Sequence, residues 1–167
     1  DLKYDLISID PAPPITQTGM VNLHTREFYQ LVRSRLKPGG VLCQRFSTNV
    51  DSELFYKALL RSISDVFEDV TVWNFLAGGM DVIASDAPLQ VLHGQPELID
   101  PDLLVMAEKF FVCGGREVAK YVEGVAPVTD DRPLLEYHLL RRLAAKCGYG
   151  SPWLGAGSNQ EELMSLK

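Results

Sequence analysis

The sequence has few cysteines, and their spacing excludes a zinc site and a disulfide framework. Only three occur in 167 residues, Cys43, Cys113 and Cys147, and none belongs to a CxxC pair. Structural zinc sites and small disulfide-bonded domains require paired spacings of that kind. The histidines are also far apart, so no metal site is predicted. We interpret the cysteines as apolar residues of a reducing compartment.

Long apolar segments are missing as well. No run approaches the roughly 18 residues that a transmembrane helix needs. The first residues carry charges at Asp1, Lys3 and Asp5, which is not the pattern of a secretory signal. We therefore expect a cytoplasmic protein with no membrane span in this chain.

Clustered positive charge is the third absence. The chain has 16 basic and 22 acidic residues, a net charge of −6, and its Lys and Arg residues are scattered. Nucleic-acid binding depends on a basic patch, so no nucleic-acid partner is predicted. A cationic small molecule would not be repelled.

The apolar segments that are present alternate in a way that predicts an α/β fold. Strands are predicted at 4–9, 41–46, 70–75 and 80–85. A helix capped by Thr25 and another capped by Asp51 or Ser52 separate the first three strands. Strands joined through helices are parallel, whereas the short link before the fourth strand allows only an antiparallel hairpin.

The glycine and proline residues predict where the other elements end. Lys37-Pro38-Gly39-Gly40 is predicted to end the first helix, with the glycine pair supplying its left-handed C-terminal residue. Further helices are predicted at 102–113 and 117–122, separated by Gly114-Gly115. Residues 148–167 are rich in Gly and Ser and are predicted to form a flexible tail.

Three segments carry a family resemblance: YDLISID at 4–10, LHTREFYQLVRSRLKPGG at 23–40 and TDDRPLLEY at 129–137. They resemble motifs of the spermidine synthase-like family, the polyamine aminopropyltransferases. The resemblance implies that residues 1–147 form the C-terminal half of a Rossmann-like methyltransferase sheet with a terminal antiparallel hairpin strand.

The resemblance also implies a reaction and a cofactor. Such proteins transfer an aminopropyl or methyl group from S-adenosylmethionine, or from its decarboxylated form, to an amine or another nucleophile. The glycine-rich loop and the acid that bind this donor in the family have no counterpart here, so we expect no donor binding by this chain alone. The missing strands would lie beside residues 4–9, where either an N-terminal half or a second copy of the chain would be the partner.

Asp10 is the candidate catalytic residue. It follows the first strand, at the edge where α/β sheets bind ligands, and it matches the first acid of the family's D-S-S-D-P loop. Pro13 stands at the second acid and cannot accept a proton. The alternative that Asp10 only caps the proline-rich turn stays open. Thr16 and Gln17 are candidate substrate-binding residues on this loop, unless they belong to a solvated loop without a binding role.

Asp130 and Asp131 are the other candidates for binding a cationic amine. Alternatively, they belong to a structural turn in which Arg132 pairs with a carboxylate. The missing donor half and Pro13 also leave a second interpretation of the whole chain, a catalytically silent scaffold or assembly domain of the same fold.

Overall fold

The computed structural model describes residues 2–10, 21–47, 53–74, 79–89 and 109–132, and positions 102 and 105. The strands are β1 (Tyr4–Ile9), β2 (Leu36–Ser47), β3 (Asp69–Trp73), β4 (Gly79–Ser85) and β5 (Phe111–Gly114). The helices are a short 3-10 helix (Val21–His24), α1 (Arg26–Arg35), α2 (Glu53–Ser64) and α3 (Arg116–Tyr121). The predicted tail and the predicted caps at 51 and 52 lie outside the described residues.

The predicted α/β fold is confirmed. The strands form one mixed sheet in the order β1-β2-β4-β3-β5, and β1 and β2 are parallel. Helix α1 connects these two strands and begins at its predicted cap, because the Phe28 amide donates to Thr25 Oγ1 at 3.2 Å. That bond satisfies one of the amides that a helix N-terminus leaves without an intrahelical partner.

The hairpin is antiparallel, as predicted, and its second strand lies inside the sheet. Strand β4 inserts between β3 and β2, so that Asp81 is paired with Trp73 on one side and with Arg45 on the other. Strand β3 therefore runs in the same direction as β2 without touching it. This insertion brings residues of β4 next to the carboxyl half of β2.

The predicted helix over 102–113 is wrong at its C-terminal end. Residues Phe111–Gly114 form β5, which pairs antiparallel with β3 at the edge of the sheet. The Asn74 amide donates to the Phe110 carbonyl at 2.8 Å, and the rings of Trp73 and Phe111 are 5.2 Å apart. Backbone hydrogen bonds to β3, on the side of that strand away from β4, and the strand preference of Phe and Val outweigh the local helical pattern.

The predicted end of α1 also needs a correction. The C-cap is Leu36 in an extended conformation, with φ of −83°, and no glycine is involved. The glycine pair instead lies within β2, where the pairing jumps from Tyr4 opposite Leu36 to Leu6 opposite Val41. Gly39, with φ of +74°, takes the left-handed conformation that this irregularity requires.

The core lies between the helices and one face of the sheet. Alternate residues of the strands, such as Leu42, Phe46 and Val82, are fully buried against residues of α2 such as Leu59 and Ile63. The opposite face carries the residues between them in sequence, and several of these are only partly buried. The two faces of the sheet therefore differ in burial. The less buried face, called the open face below, carries most of the charged groups described next.

Candidate active site

Asp10 lies at the carboxyl edge of the sheet. It directly follows β1, whose last residue, Ile9, pairs with Gln44 of the parallel strand β2. Its side chain is exposed. Carboxyl edges of parallel strands are where open α/β sheets bind their ligands, and the catalytic role of Asp10 stays a prediction.

Three other polar side chains lie on the open face near this edge. Side chains alternate along a strand, and Ile9 and Gln44 face the helical layer. The neighbouring residues Asp10, Cys43 and Arg45 therefore face the other way. Asp81, opposite Arg45 in β4, shares this face. We call Asp10, Cys43, Arg45 and Asp81 the edge cluster.

The members of the edge cluster influence one another electrostatically. Burial raises the pKa of the Asp81 carboxyl, Arg45 lowers it, and the negative charge of Asp10 raises it further. Burial likewise raises the pKa of the Cys43 thiol, with added effects of Asp81 and Asp10. Cys43 therefore stays a neutral thiol rather than a nucleophilic thiolate. The carboxylates are the groups of the cluster that can bind a cation or accept a proton.

Arg45 is held over the backbone of the hairpin. A Cβ atom added to Gly79 would lie 2.9 Å from Arg45 Nε and 3.6 Å from its Cγ. Glycine at position 79 thus leaves room for the arginine side chain there. The guanidinium offsets part of the negative charge of Asp81. The formal charges of the edge cluster, two carboxylates and one guanidinium, sum to −1.

Beneath the edge cluster, a buried polar layer connects β2 to the segment before α1. Gln44 is fully buried, and its Nε2 donates to the Leu23 carbonyl at 3.1 Å. The neighbouring Tyr29 is also fully buried. Burial raises the pKa of its hydroxyl well above the ordinary value, and Gln44 lowers it only in part. Tyr29 is therefore neutral and acts as a packing residue.

Of the other predicted site residues, the structure describes Asp130 and Asp131 only. Thr16, Gln17 and Pro13 lie outside the described residues. Asp130 and Asp131 are exposed in a turn closed by a hydrogen bond from the Arg132 amide to the Thr129 carbonyl. The contact of Asp130 is with α1, since its amide donates to Glu27 Oε2 at 3.1 Å.

This turn is anchored to the helical layer by the residue that precedes it. Val128 is fully buried, and its amide donates to Ser62 Oγ at 2.8 Å. Its carbonyl accepts from the Arg26 amide at 2.9 Å. These bonds hold the segment before the turn against the helical layer through backbone groups and the Ser62 hydroxyl. The predicted pairing of Arg132 with a carboxylate stays a prediction.

Sequence reasoning missed Asp81 and Arg45. The available signal was an acid within an otherwise apolar strand, Met80-Asp81-Val82-Ile83, because aspartate is uncommon in strands. The sequence did not indicate where that strand lies in the sheet. Only the insertion of β4 beside β2 places Asp81 near Asp10.

Two further features are absent from the part of the chain that the structure describes. Within it, no group of three or more metal-ligating side chains is arranged to hold an ion. None of the helices described there has the length and hydropathy of a membrane span.

Comparison with known proteins agrees with the sequence resemblance. No family model matches the chain. Polyamine aminopropyltransferase 2 of Pseudomonas aeruginosa is 37% identical over 105 residues, which are 58% of this chain and 29% of that protein. The polyamine aminopropyltransferase of Saccharolobus islandicus is 30% identical over 98 residues, 50% of this chain and 32% of that protein. The chain thus spans less than a third of the length of these relatives.

A solved structure shares the fold. The probable spermidine synthase from Corynebacterium glutamicum superposes with a TM-score of 0.55 and 20% sequence identity. The match covers 75% of this chain and 47% of that one. The chain is thus similar in sequence to polyamine aminopropyltransferases and shares the fold of a probable spermidine synthase, which supports the resemblance to the spermidine synthase-like family.

Proposed function

We propose that the full-length protein containing this chain transfers an aminopropyl group from decarboxylated S-adenosylmethionine to an amine. In this proposal the chain supplies the acceptor side of the site, with Asp10 as the catalytic carboxylate. The observation that carries it is the position of Asp10 at the carboxyl edge of β1 in a chain similar in sequence to polyamine aminopropyltransferases.

The chemistry needs little more than positioning and a proton acceptor. The amine nitrogen forms a bond to the aminopropyl carbon as the carbon–sulfur bond breaks, and methylthioadenosine leaves with the electron pair. Asp10 would hold the amine and accept the proton that it loses. Thr16 and Gln17 on the same loop, and Asp130 and Asp131, stay candidates for binding the rest of the acceptor.

The donor is proposed to bind elsewhere in the full-length protein. Gly39 and Gly40 lie in the first half of β2, before the carboxyl edge. A nucleotide-binding glycine loop instead follows a strand and opens a helix. The described glycines of β2 therefore do not fit the donor.

The test is a transfer assay on the full-length protein with decarboxylated S-adenosylmethionine and a series of linear diamines, following methylthioadenosine release. Asp10→Asn should lower kcat by about a hundredfold or more, as loss of a general base does. Asp5→Asn makes the same chemical change at the exposed opposite end of β1 and should leave kcat within about twofold. If no diamine in the series gives an aminopropylated product, the proposal is refuted. A parallel assay with S-adenosylmethionine as the donor would show whether the protein transfers a methyl group instead.

A silent assembly domain is the second candidate, and one observation favours it. Among the strands that the structure describes, β1 lies at the edge of the sheet, and its apolar residues Tyr4 and Leu6 are 47% and 58% exposed. An edge strand of this kind can pair with another chain. A concentration-independent monomer in sedimentation would contradict this candidate, whereas a dimer without transferase activity would support it.

A further inference from the structure

Asp81 is an acid in a position that strands usually reserve for apolar residues. It lies between Met80 and Val82, and its cross-strand neighbours are Arg45 and Trp73. Trp73 is 5% exposed, so a nearly buried residue flanks Asp81 on one side, and Asp81 itself is partly buried. A partly buried carboxylate in such a place lowers stability unless a cation or hydrogen bonds offset its desolvation.

No cation of the described residues forms an ion pair with Asp81. Ion pairs there use other acids, those at positions 5, 27, 53, 65 and 86 among them. Arg45 attracts Asp81 but extends over Gly79, and the edge cluster holds two carboxylates against this one guanidinium. The edge cluster therefore presents excess negative charge on the open face of the sheet, beside Asp10.

We propose that Asp81 is a substrate-binding residue that holds an ammonium group of the acceptor. It would act as the second carboxylate beside Asp10, a role that Pro13 cannot fill. This inference rests on the proposed function. It makes the hairpin strand β4, rather than the loop after β1, the source of the second acid. It also predicts that the acceptor is a cation with at least two amino groups, one near Asp10 and one near Asp81.

The experiment compares Asp81→Asn with Asp5→Asn in the full-length protein. The two substitutions change net charge equally and preserve shape, but Asp5 pairs with Lys37 at the far end of β1. A linear diamine should bind about tenfold or more weakly to Asp81→Asn in calorimetry, the amount expected for one charged hydrogen bond. In the transfer assay, the KM for the diamine should rise by the same factor while the KM for the donor stays constant. Asp81→Glu should recover part of the loss.

The outcomes separate this inference from the proposed function. If the wild-type protein binds the diamine and Asp81→Asn does not, the inference stands even if no group is transferred. If Asp81→Asn binds the diamine as well as Asp5→Asn does, the inference is wrong even if transfer is confirmed. An equal rise in the KM values for donor and diamine would assign Asp81 a structural role and overturn the inference, as would failure of the wild type to bind any diamine.

Discussion

The buried hydroxyl of Ser62 is predicted to hold the Asp130 turn on the helical layer. Ser62 is fully buried in α2, where its Oγ donates to the Ala58 carbonyl at 2.9 Å and accepts from the Val128 amide at 2.8 Å. The sequence separation between Ser62 and Val128 is 66 residues. This one side chain therefore connects α2 to the segment that leads into Asp130 and Asp131.

Ser62→Ala should destabilise the chain measurably. The substitution removes the hydrogen bond and leaves the amide of Val128, itself fully buried, without its acceptor. A buried donor left unsatisfied costs about 1–3 kcal/mol. Alanine recovers up to about 0.5 kcal/mol because it favours the helix more than serine does. The expected net loss in the free energy of unfolding is about 1.5 kcal/mol.

Urea denaturation followed by circular dichroism measures this loss, and hydrogen exchange of the Val128 amide locates it. Ser34→Ala is the matched control, because Ser34 Oγ also donates to a helix carbonyl, that of Leu31, but is exposed. The control should change stability by less than about 0.5 kcal/mol. A Ser62→Ala variant that is as stable as the control, with unchanged protection of the Val128 amide, would refute the reasoning.

Two further predictions concern the backbone and a surface carboxylate. Gly39→Ala should lower the unfolding free energy by about 1–2 kcal/mol in urea denaturation, because φ at this residue is +74°, although no atom would touch the new methyl group; an unchanged midpoint would contradict it. Desolvation raises the pKa of Glu27, but hydrogen bonds from its own amide and that of Asp130, together with Arg26, lower it overall from 4.5. The stabilisation is therefore present above pH 4.5 and is lost as the pH falls through the folded-state pKa. Since the side chain is 36% exposed, Glu27→Gln should lower the free energy of unfolding by less than about 1 kcal/mol at neutral pH and leave it unchanged in acid. A stability difference that grows on acidification would be inconsistent with this account.

Elements whose signals are local could be predicted from the sequence. The apolar run 4–9, the Thr25 cap and the short link before β4 each specify a strand, a helix start or a hairpin through residues close in sequence. The structure confirms all three. The role of Asp10 stays a prediction, but its place at a carboxyl edge followed from the strand that precedes it.

The errors occur where distant segments compete with local preference. Residues Phe111–Gly114 have a helical pattern before them, yet they pair with β3 because its edge offers backbone partners. Gly39 resembles the end of a helix, yet it forms an irregularity in β2 that depends on the register with β1. Neither outcome is encoded within a window of a few residues.

The sequence by itself determined which segments become most of the strands and helices, that the first two strands are parallel, and that an acid ends the first of them. The tertiary structure alone decided that β4 lies beside β2, and hence that Asp81 and Arg45 share a face with Asp10. The physical reason is that periodicity, caps and turns are short-range properties of the chain. The order of strands, by contrast, is set by hydrogen bonds and packing between residues far apart in sequence.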